Sequence, residues 1–325
     1  MAHPAGTVAV LMGGPSGEHA ISLRSGQGVA HALRQRGWSV EPVVIPQLLT
    51  TEQACAFTRL ALHNAGADVA FIALHGSFGE DGTVQQVCED LQIAYTGSGP
   101  EASRLGMDKV ASRRRFEQAG LRVPAWAVLE GKRLMRAQLP AGWSLPAVVK
   151  PSNQGSSLGV ALARTPEELQ AAVKAAAALS PHVVLEQFVA GREVTVGVLG
   201  DEALPVVEIR PTQPFFDFTA KYTAGATEYL VPAPIPAATA AAAQAAGLEA
   251  HRVLGCRHLS RADIILTARN EPVVLEVNTI PGFTPTSLLP KAAACVGISY
   301  DDVCDRLVRA ALASAPARAA LTRVR

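Results

Sequence analysis

The chain has few cysteines, and their distribution excludes two common kinds of stabilising site. Only 5 of the 325 residues are cysteine, and none belongs to a CxxC pair. A disulfide framework or a structural zinc site needs paired or closely spaced cysteines, so neither is expected. The composition therefore indicates a protein of a reducing compartment.

An excess of charge of either sign is also absent. The 29 lysines and arginines nearly balance the 28 aspartates and glutamates, which leaves a formal net charge of +1. No overall field then favours nucleic acid or a membrane surface as a partner. No apolar run reaches the length of a membrane span, and the N-terminus lacks the pattern of a signal peptide. We expect a cytoplasmic protein that binds neither nucleic acid nor membrane.

What the chain does contain is enough apolar sequence for more than one hydrophobic core. Hydrophobic residues make up 49% of the chain and charged residues 18%, which is typical of folded proteins. The length of 325 residues is too great for one small core. Loop-like sequence near residues 97 and 188 predicts three domains, over 1–97, 98–187 and 188–325.

The first domain alternates between strand and helix patterns. Apolar runs at 7–12, 40–45 and 69–74 are separated by helical patterns at 22–36 and 52–65. This spacing predicts an α/β domain with a parallel sheet and helices on both faces. Ligands of such sheets bind at the carboxyl ends of the strands.

Polar residues follow two of these predicted strands. Glu18 lies just after a glycine turn, where its carboxylate is placed to bind an ammonium group, and His75 ends the third strand. The following acids, Glu80 and Asp81, are also typical of a helix N-terminus. The alternative explanation for Glu18 is a solvated helix start, and for the segment after His75 it is a helix N-cap.

The remaining two thirds of the chain mix helices with antiparallel strands. Helices are predicted over 101–119, 166–177, 237–254 and 299–313, and strands over 125–129, 146–150, 183–188 and a hairpin at 193–209. The segment 211–234 lacks periodicity and holds four prolines. A loop of this length is typical of an active-site lid.

A second predicted hairpin carries acidic residues where apolar side chains would normally pack. Residues 268–271 are typical of a four-residue turn, in which Thr267 faces Pro272. Counting along the two strands then places Asp263 opposite Glu276.

The next pair on the same face is Arg261 and Asn278, because side chains two residues apart in a strand point the same way. Three oxygen ligands suited to Mg²⁺, from Asp263, Glu276 and Asn278, then converge beside one guanidinium group. A surface salt-bridge patch between Arg261 and an acid is the alternative.

Two further segments are typical of nucleotide binding. Lys150 ends a strand and precedes a loop of small residues, namely Ser152, Gly155, Ser156, Ser157 and Gly159. Backbone N–H groups, hydroxyls and a lysine together suit a phosphate, although an ordinary hairpin loop explains the same pattern. Glu186 and Glu193 flank the linker 188–191, which fits either an adenine and ribose slot or a plain interdomain hinge.

Five ordered motifs together resemble the D-alanine–D-alanine ligase family, whose fold is ATP-grasp, over nearly the whole chain. They are Gly13-Gly14-x-Ser16-x-Glu18-His19, His75-Gly76-x-x-Gly79-Glu80-Asp81-Gly82, Lys150-Pro151 with Gly155-Ser156-Ser157-x-Gly159, Lys221-Tyr222, and Ser260-Arg261-x-Asp263 with Glu276-Val277-Asn278-Thr279-x-Pro281-Gly282-x-Thr284. The resemblance implies an N-terminal parallel-sheet domain followed by central and C-terminal ATP-binding domains, α/β in class and α+β in part.

The resemblance also implies a reaction. ATP would phosphorylate the carboxylate of one D-alanine, and the amine of a second would attack the acyl phosphate to form D-alanyl-D-alanine for peptidoglycan synthesis. Two Mg²⁺, with Mn²⁺ as an alternative, and a homodimer are expected. Ala20 departs from the family, which commonly has glutamate there.

Family roles transfer to matching positions of this sequence. The metal ligands would be Asp263, Glu276 and Asn278, and the nucleotide contacts Lys109, Lys150, Glu186, Val189 and Glu193. The catalytic group would be Glu18, Ser156, Tyr222, Arg261 and the N–H of Gly282. The substrate contacts would be His75, Lys221 and Ser287.

Two rival functions remain at this point. A related ATP-grasp ligase would use a different second substrate, such as D-lactate, although the lid residue Tyr222 favours a dipeptide product. A nucleotide-binding regulatory protein without catalysis would be expected to have lost the metal ligands or Arg261, and the sequence retains them.

Overall fold

Three β-sheets organise the chain, and they follow one another along the sequence. A computed structural model describes residues 6–135, 137–155, 158–211 and 227–314. A four-stranded sheet comes first, a second four-stranded sheet follows, and a six-stranded sheet comes last. Each sheet packs at least one helix against its apolar face, so each has a hydrophobic core.

The first sheet is parallel, as predicted, with strand order β2-β1-β3-β4. Its elements are β1 (Thr7–Gly13), α1 (His19–Gln35), β2 (Ser39–Ile45), α2 (Thr51–Asn64), β3 (Val69–Ile72), α3 (Thr83–Asp90) and β4 (Ala94–Tyr95). Side chains of β1 alternate between two cores: Val8 and Val10 pack with α1, while Leu11 packs with α2 and α3. Both faces are therefore covered, which explains why the strand is a continuous apolar run.

The single helix predicted over 101–119 is wrong, because the structure has two helices there. They are α4 (Pro100–Met107) and α5 (Lys109–Gln118), separated at Asp108, whose backbone is extended. The Asp108 carboxylate accepts the N–H groups of Val110 and Ala111, so it caps the second helix. Sequence periodicity misses this break because the helical pattern on either side is in nearly the same phase.

The second sheet is antiparallel, with order β5-β8-β6-β7. It contains β5 (Trp126–Leu129), β6 (Ala147–Pro151), β7 (Ala161–Ala163) and β8 (Val183–Gln187), with a short 3₁₀ helix at Gly131–Leu134 and α6 at Pro166–Ala177. The α6 bounds match the prediction, and the Thr165 side chain accepts the Glu168 N–H as its N-cap.

The third sheet runs in the order β12-β11-β9-β13-β14, with β10 paired to β9. Its strands are β9 (Arg192–Leu199), β10 (Glu202–Ala203), β11 (Val207–Pro211), β12 (Thr227–Leu230), β13 (Leu259–Leu266) and β14 (Pro272–Asn278), and α7 (Ala237–Val253) packs on one face. The predicted loop 211–234 therefore contains a strand, β12, that pairs with β11.

The β13–β14 register agrees with the prediction at the acidic residues but not at the turn. Arg261 pairs with Asn278 and Asp263 with Glu276, whereas Leu266, not Thr267, faces Pro272. The turn is one residue longer than predicted. A bulge between the Asp263 and Ile264 positions compensates for the extra residue, so that Asp263 still pairs with Glu276. Leu275 is the additional residue in β14.

The C-terminal part of the chain returns to the first sheet. A helix that the sequence analysis missed, α8 (Leu288–Cys295), precedes α9 (Tyr300–Ser314). Helix α9 packs beside α1, where the Trp38 indole N–H donates to Asp305 at 2.8 Å and Arg36 pairs with Asp302 at 2.6 Å. The first hydrophobic core is therefore built from both ends of the chain.

Gly247 allows α7 to approach the third sheet closely. A Cβ atom at this position would lie 2.8 Å from Val196 Cβ and 2.9 Å from Val196 Cγ1. Gly247→Ala is expected to lower the free energy of unfolding by about 1–3 kcal/mol, since overpacking against a stiff β-branched side chain outweighs the gain in helix propensity. Urea unfolding measures this, with Ala245→Leu on the exposed side of α7 as the control. Equal stabilities of the two variants would contradict the packing argument.

Two buried histidines lie beside the third sheet and join its strand β13 to other parts of the chain. The Nδ1 atom of His251 lies 2.7 Å from the Ser260 hydroxyl. The Nδ1 atom of His258 accepts the N–H of Gly97 at 3.2 Å, so His258 ties β13 to the linker after the first sheet. Burial lowers the pKa of each histidine to about 4. Protonation of His258 at Nδ1 would break its bond to Gly97.

Acid should therefore destabilise the fold. Between pH about 6.5 and 4 the unfolded chain binds protons at these histidines, while the folded chain keeps them neutral. The free energy of unfolding therefore decreases as the pH is lowered through this range, by at most about 3 kcal/mol per histidine. Urea unfolding at several pH values should show a shallower pH slope for His258→Gln than for the parent protein. The exposed control His63→Gln should keep the parent slope; if both variants keep it, His258 is not the group responsible.

Candidate active site

Two adjoining cavities lie where the three sheets meet. The larger, about 540 Å³, is lined by residues of the second and third sheets and of α5. The smaller, about 370 Å³, is lined by residues at the carboxyl ends of the first sheet and by the chain that follows β14. Glu80, Ile209, Glu276 and Asn278 line both cavities, so a group bound in one can reach the other.

The structure brings the predicted nucleotide and metal residues together in the larger cavity. Its lining includes Lys109, Lys150, Glu186, Val189, Glu193, Asp263, Glu276 and Asn278. Apolar residues between them, such as Val148, Phe188 and Ile265, supply flat surface for a ring system. The placement agrees with the sequence analysis, and the individual roles remain predictions.

A buried carboxylate organises one wall of the larger cavity. Glu186 on β8 accepts from Lys150 on the neighbouring strand β6 at 2.9 Å and from Arg113 on α5 at 2.5 Å. Burial alone would raise the pKa of Glu186, but Arg113 and Lys150 outweigh it, and the pKa is lowered. The carboxylate therefore stays ionised and holds the Lys150 ammonium group at the cavity surface.

The break before α5 determines where Lys109 points. As the first residue of α5, Lys109 donates its backbone N–H to the Ser152 carbonyl at 2.8 Å and its ammonium group to the Gln154 carbonyl at 2.6 Å. The same ammonium nitrogen lies 3.9 Å from Glu276 Oε2. Burial lowers the pKa of Lys109, and Glu276 partly opposes that shift. Lys109 thus lies between the glycine-rich loop and the acidic hairpin.

Arg261 and Asp263 form a two-point ion pair on β13. The guanidinium donates from Nε to one Asp263 oxygen at 2.8 Å and from Nη2 to the other at 2.7 Å, and Thr195 also donates to Asp263 at 2.8 Å. The salt bridge that was the alternative explanation does form. Its side chains, however, are only 16% and 8% exposed, so the pair belongs to the cavity wall and not to a surface patch.

The oxygen donors of the hairpin fit Mg²⁺. Asp263, Glu276 and Asn278 line the cavity from one face, and the Asn278 amide donates to Asp263 at 3.2 Å. Among the described residues no group of three acidic, histidine or cysteine side chains surrounds a metal position. Two carboxylates and an amide still suit Mg²⁺, which takes few protein ligands and completes its shell with water and phosphate oxygens.

The smaller cavity contains the described residues predicted to contact substrate. Glu18, His75, Arg261, Gly282 and Ser287 line it, together with Tyr229 of β12. The ring of His75 is held in place, with Nε2 3.1 Å from the Ser25 hydroxyl and Nδ1 3.6 Å from Glu80 Oε1.

The loop after β14 presents Gly282 and Ser287 to this cavity. Ser287 Oγ accepts the Thr284 N–H at 2.9 Å, and the Ser287 N–H donates to the Thr284 carbonyl at 2.9 Å. Ser287 is also the N-cap position of α8. Free N–H groups at a helix N-terminus favour a bound carboxylate. The unpredicted helix α8 therefore places Ser287 where a substrate carboxylate can bind.

Glu80 and Tyr229 line the cavities without having been predicted as site residues. Asp81 does serve the start of α3, accepting the N–H groups of Phe78 and Thr83, whereas Glu80 points into the site. Burial raises the pKa of Glu80. Glu80 and Asp81 are equally typical of a helix N-terminus in the sequence. Only the folded loop, which directs their side chains differently, distinguishes them. Tyr229 depends on the β11–β12 pairing, for which the sequence carries no signal.

Three predicted site residues, Ser156, Lys221 and Tyr222, lie outside the described residues. Their assignment remains as the sequence analysis made it.

Two family models and many curated relatives match this chain. A model of the D-ala D-ala ligase N-terminus matches residues 50–98, and a model of the D-ala D-ala ligase C-terminus matches residues 115–309. The D-alanine–D-alanine ligase of Anaeromyxobacter dehalogenans (strain 2CP-C) is 44% identical over 304 residues, 93% of this chain and 95% of the relative. That of Syntrophotalea carbinolica is 42% identical, over 94% of this chain and 95% of the relative.

Solved structures show the same similarity. A D-alanine–D-alanine ligase from Bacillus anthracis complexed with ATP has a TM-score of 0.80 at 29% identity, covering 95% of this chain and 98% of that one. A D-Ala:D-Ser ligase from Enterococcus faecalis has a TM-score of 0.81 at 28% identity, covering 95% of this chain and 100% of that one. The chain belongs to the D-alanine–D-alanine ligase family and has its ATP-grasp fold.

Proposed function

We propose that this protein uses ATP and Mg²⁺ to join two D-alanine molecules into D-alanyl-D-alanine, with release of ADP and phosphate. The observation that carries the proposal is the junction of the two cavities at Glu276 and Asn278. A nucleotide in the larger cavity and an amino acid in the smaller one would meet beside Arg261, whose side chain is only 16% exposed. Family membership at 44% identity supports the same reaction.

The proposed reaction has two steps. A carboxylate oxygen of the first D-alanine forms a bond to the terminal phosphorus of ATP as the bond to ADP breaks. The amine of the second D-alanine then attacks the acyl carbon, loses a proton, and displaces phosphate. Both steps develop negative charge, so they need fixed positive groups and exclusion of water more than a protein nucleophile.

The charges of the site suit these steps. Arg261 and the N–H of Gly282 would stabilise the tetrahedral oxyanion, and Glu18 with His75 would hold the first D-alanine. Ser287 at the start of α8 would bind the second carboxylate. Lys109 and Lys150 would contact phosphate oxygens. Mg²⁺ held by Asp263, Glu276 and Asn278 would supply charge neutralisation at the phosphates.

The other residue roles belong to the proposal on the strength of the family motifs. Glu186, Val189 and Glu193 would surround the adenine and ribose. Ser156 and Tyr222 would hydrogen-bond with Glu18 and close the lid predicted over 211–234, from which Lys221 would reach the transferred phosphoryl group.

We also propose a setting for the enzyme. It would act in the cytoplasm as a homodimer, within peptidoglycan precursor synthesis, and without nucleic acid or membrane partners. None of the described helices is long and apolar enough to cross a membrane. The proposed domains remain 1–97, 98–187 and 188–325, and the successive sheets support this division.

A substrate panel tests the proposed reaction. Phosphate release from ATP and product mass are measured with D-alanine alone, with D-alanine plus D-serine or D-lactate, and with L-alanine, each with and without Mg²⁺. We expect Mg²⁺-dependent D-alanyl-D-alanine formation with D-alanine alone. Product only with D-serine or D-lactate would establish the second candidate, a ligase with a different second substrate, which the similarity to the D-Ala:D-Ser ligase favours.

Arg261→Ala should lower kcat by about 10²–10³-fold, since it removes a buried positive charge from the developing oxyanion. ATP binding measured by calorimetry should persist. Arg269→Ala, in the exposed turn of the same hairpin, should leave both quantities at the parent values. An Arg261→Ala variant with parent turnover would remove Arg261 from its assigned role.

A further inference from the structure

Arg113 is a charged residue in an unusual position. It lies on α5 and is 0% exposed, one of the largest fully buried side chains of the chain. It is not among the described residues that line either cavity. Any influence on bound nucleotide must therefore come through the groups that Arg113 touches or through its charge.

Those groups lie on two different strands that line the larger cavity. Nη2 of Arg113 donates to Glu186 on β8 at 2.5 Å and to the Leu275 carbonyl on β14 at 3.0 Å. Leu275 is the bulged residue, directly before Glu276 in the chain. One guanidinium group thus joins the carboxylate that holds Lys150 to the strand that carries two of the predicted metal ligands.

Arg113 also sets the charge of the cavity wall. Glu186 lies between Arg113 and Lys150, so the three side chains together carry one net positive charge. Without Arg113, Glu186 and Lys150 would form a neutral pair. The cavity has to accept a triphosphate, and charges act strongly inside a protein because the effective dielectric constant is low. The buried guanidinium therefore adds attraction at a distance.

Stability alone does not account for this arrangement. The Nε and Nη1 atoms of Arg113 have no hydrogen-bond partner among the described residues. Buried donors without partners destabilise a fold, and a buried ion pair is often no more stabilising than apolar residues of similar volume.

We propose that Arg113 is a positioning residue for nucleotide binding, which holds the Glu186–Lys150 pair and the Leu275 bulge in place and keeps the cavity wall positively charged. This role of Arg113 rests on the proposed ATP-dependent function, and Arg113 itself does not touch the nucleotide.

The test compares ATP binding in full-length variants by calorimetry with Mg²⁺ and without D-alanine. Arg113→Met should weaken ATP binding by about tenfold, since it removes one charge from a low-dielectric wall. Arg113→Lys should recover most of the affinity, because its charge still reaches Glu186. Arg114→Met, on the exposed side of α5, should bind ATP as the parent does. In steady state, KM for ATP should rise in Arg113→Met while KM for D-alanine stays constant.

Parent-like ATP affinity in Arg113→Met would overturn the proposal, as would an equal rise in KM for ATP and for D-alanine, which indicates general damage. If Arg113→Met does not fold, Arg113→Gln removes the same charge with a polar side chain, and its ATP affinity decides. A parent protein that binds ATP but forms no dipeptide would defeat the proposed function alone, and the binding comparison would still decide the role of Arg113.

Discussion

The antiparallel pairing of β13 with β14 positions the predicted metal ligands and the guanidinium group beside them. Because side chains alternate along a strand, Arg261 and Asp263 face the two adjoining cavities from one strand while Glu276 and Asn278 face them from the other. A shift of one residue would send all four to the opposite, apolar face, where α7 packs. The bulge at Leu275 corrects the register after a longer turn and leaves a carbonyl that accepts from Arg113.

Buried charge is the second constraint, and the site satisfies it by surrounding each carboxylate with donors. Glu186 has Arg113 and Lys150, while Asp263 has Arg261 and Thr195. Ions placed in this way need little rearrangement when a substrate brings further charge, which is the basis of electrostatic preorganisation. An acyl phosphate formed at this site would also require protection from hydrolysis.

The sequence predicted regular elements well and their connections less well. The bounds of α6 follow from its apolar spacing and the Thr165 cap, both local signals. The break at Asp108 was missed because the helical pattern continues across it, although aspartate is a preferred N-cap residue and could have marked a new helix. The position of Thr267 was wrong since turn length and bulge offset each other, and neither leaves a trace in residue type.

Residue types and local order were enough to determine the family, the ATP-grasp fold and the chemistry of the predicted ligands, because these depend on functional groups at fixed short spacings. Long-range packing decided which residues distant in the chain contact one another, because the spacing of residues along the sequence does not determine those contacts. It brought α9 back to α1, directed Glu80 and not Asp81 into the site, and placed Arg113 between Glu186 and Leu275. These contacts join residues up to 267 positions apart, and their geometry arises only when the sheets pack together.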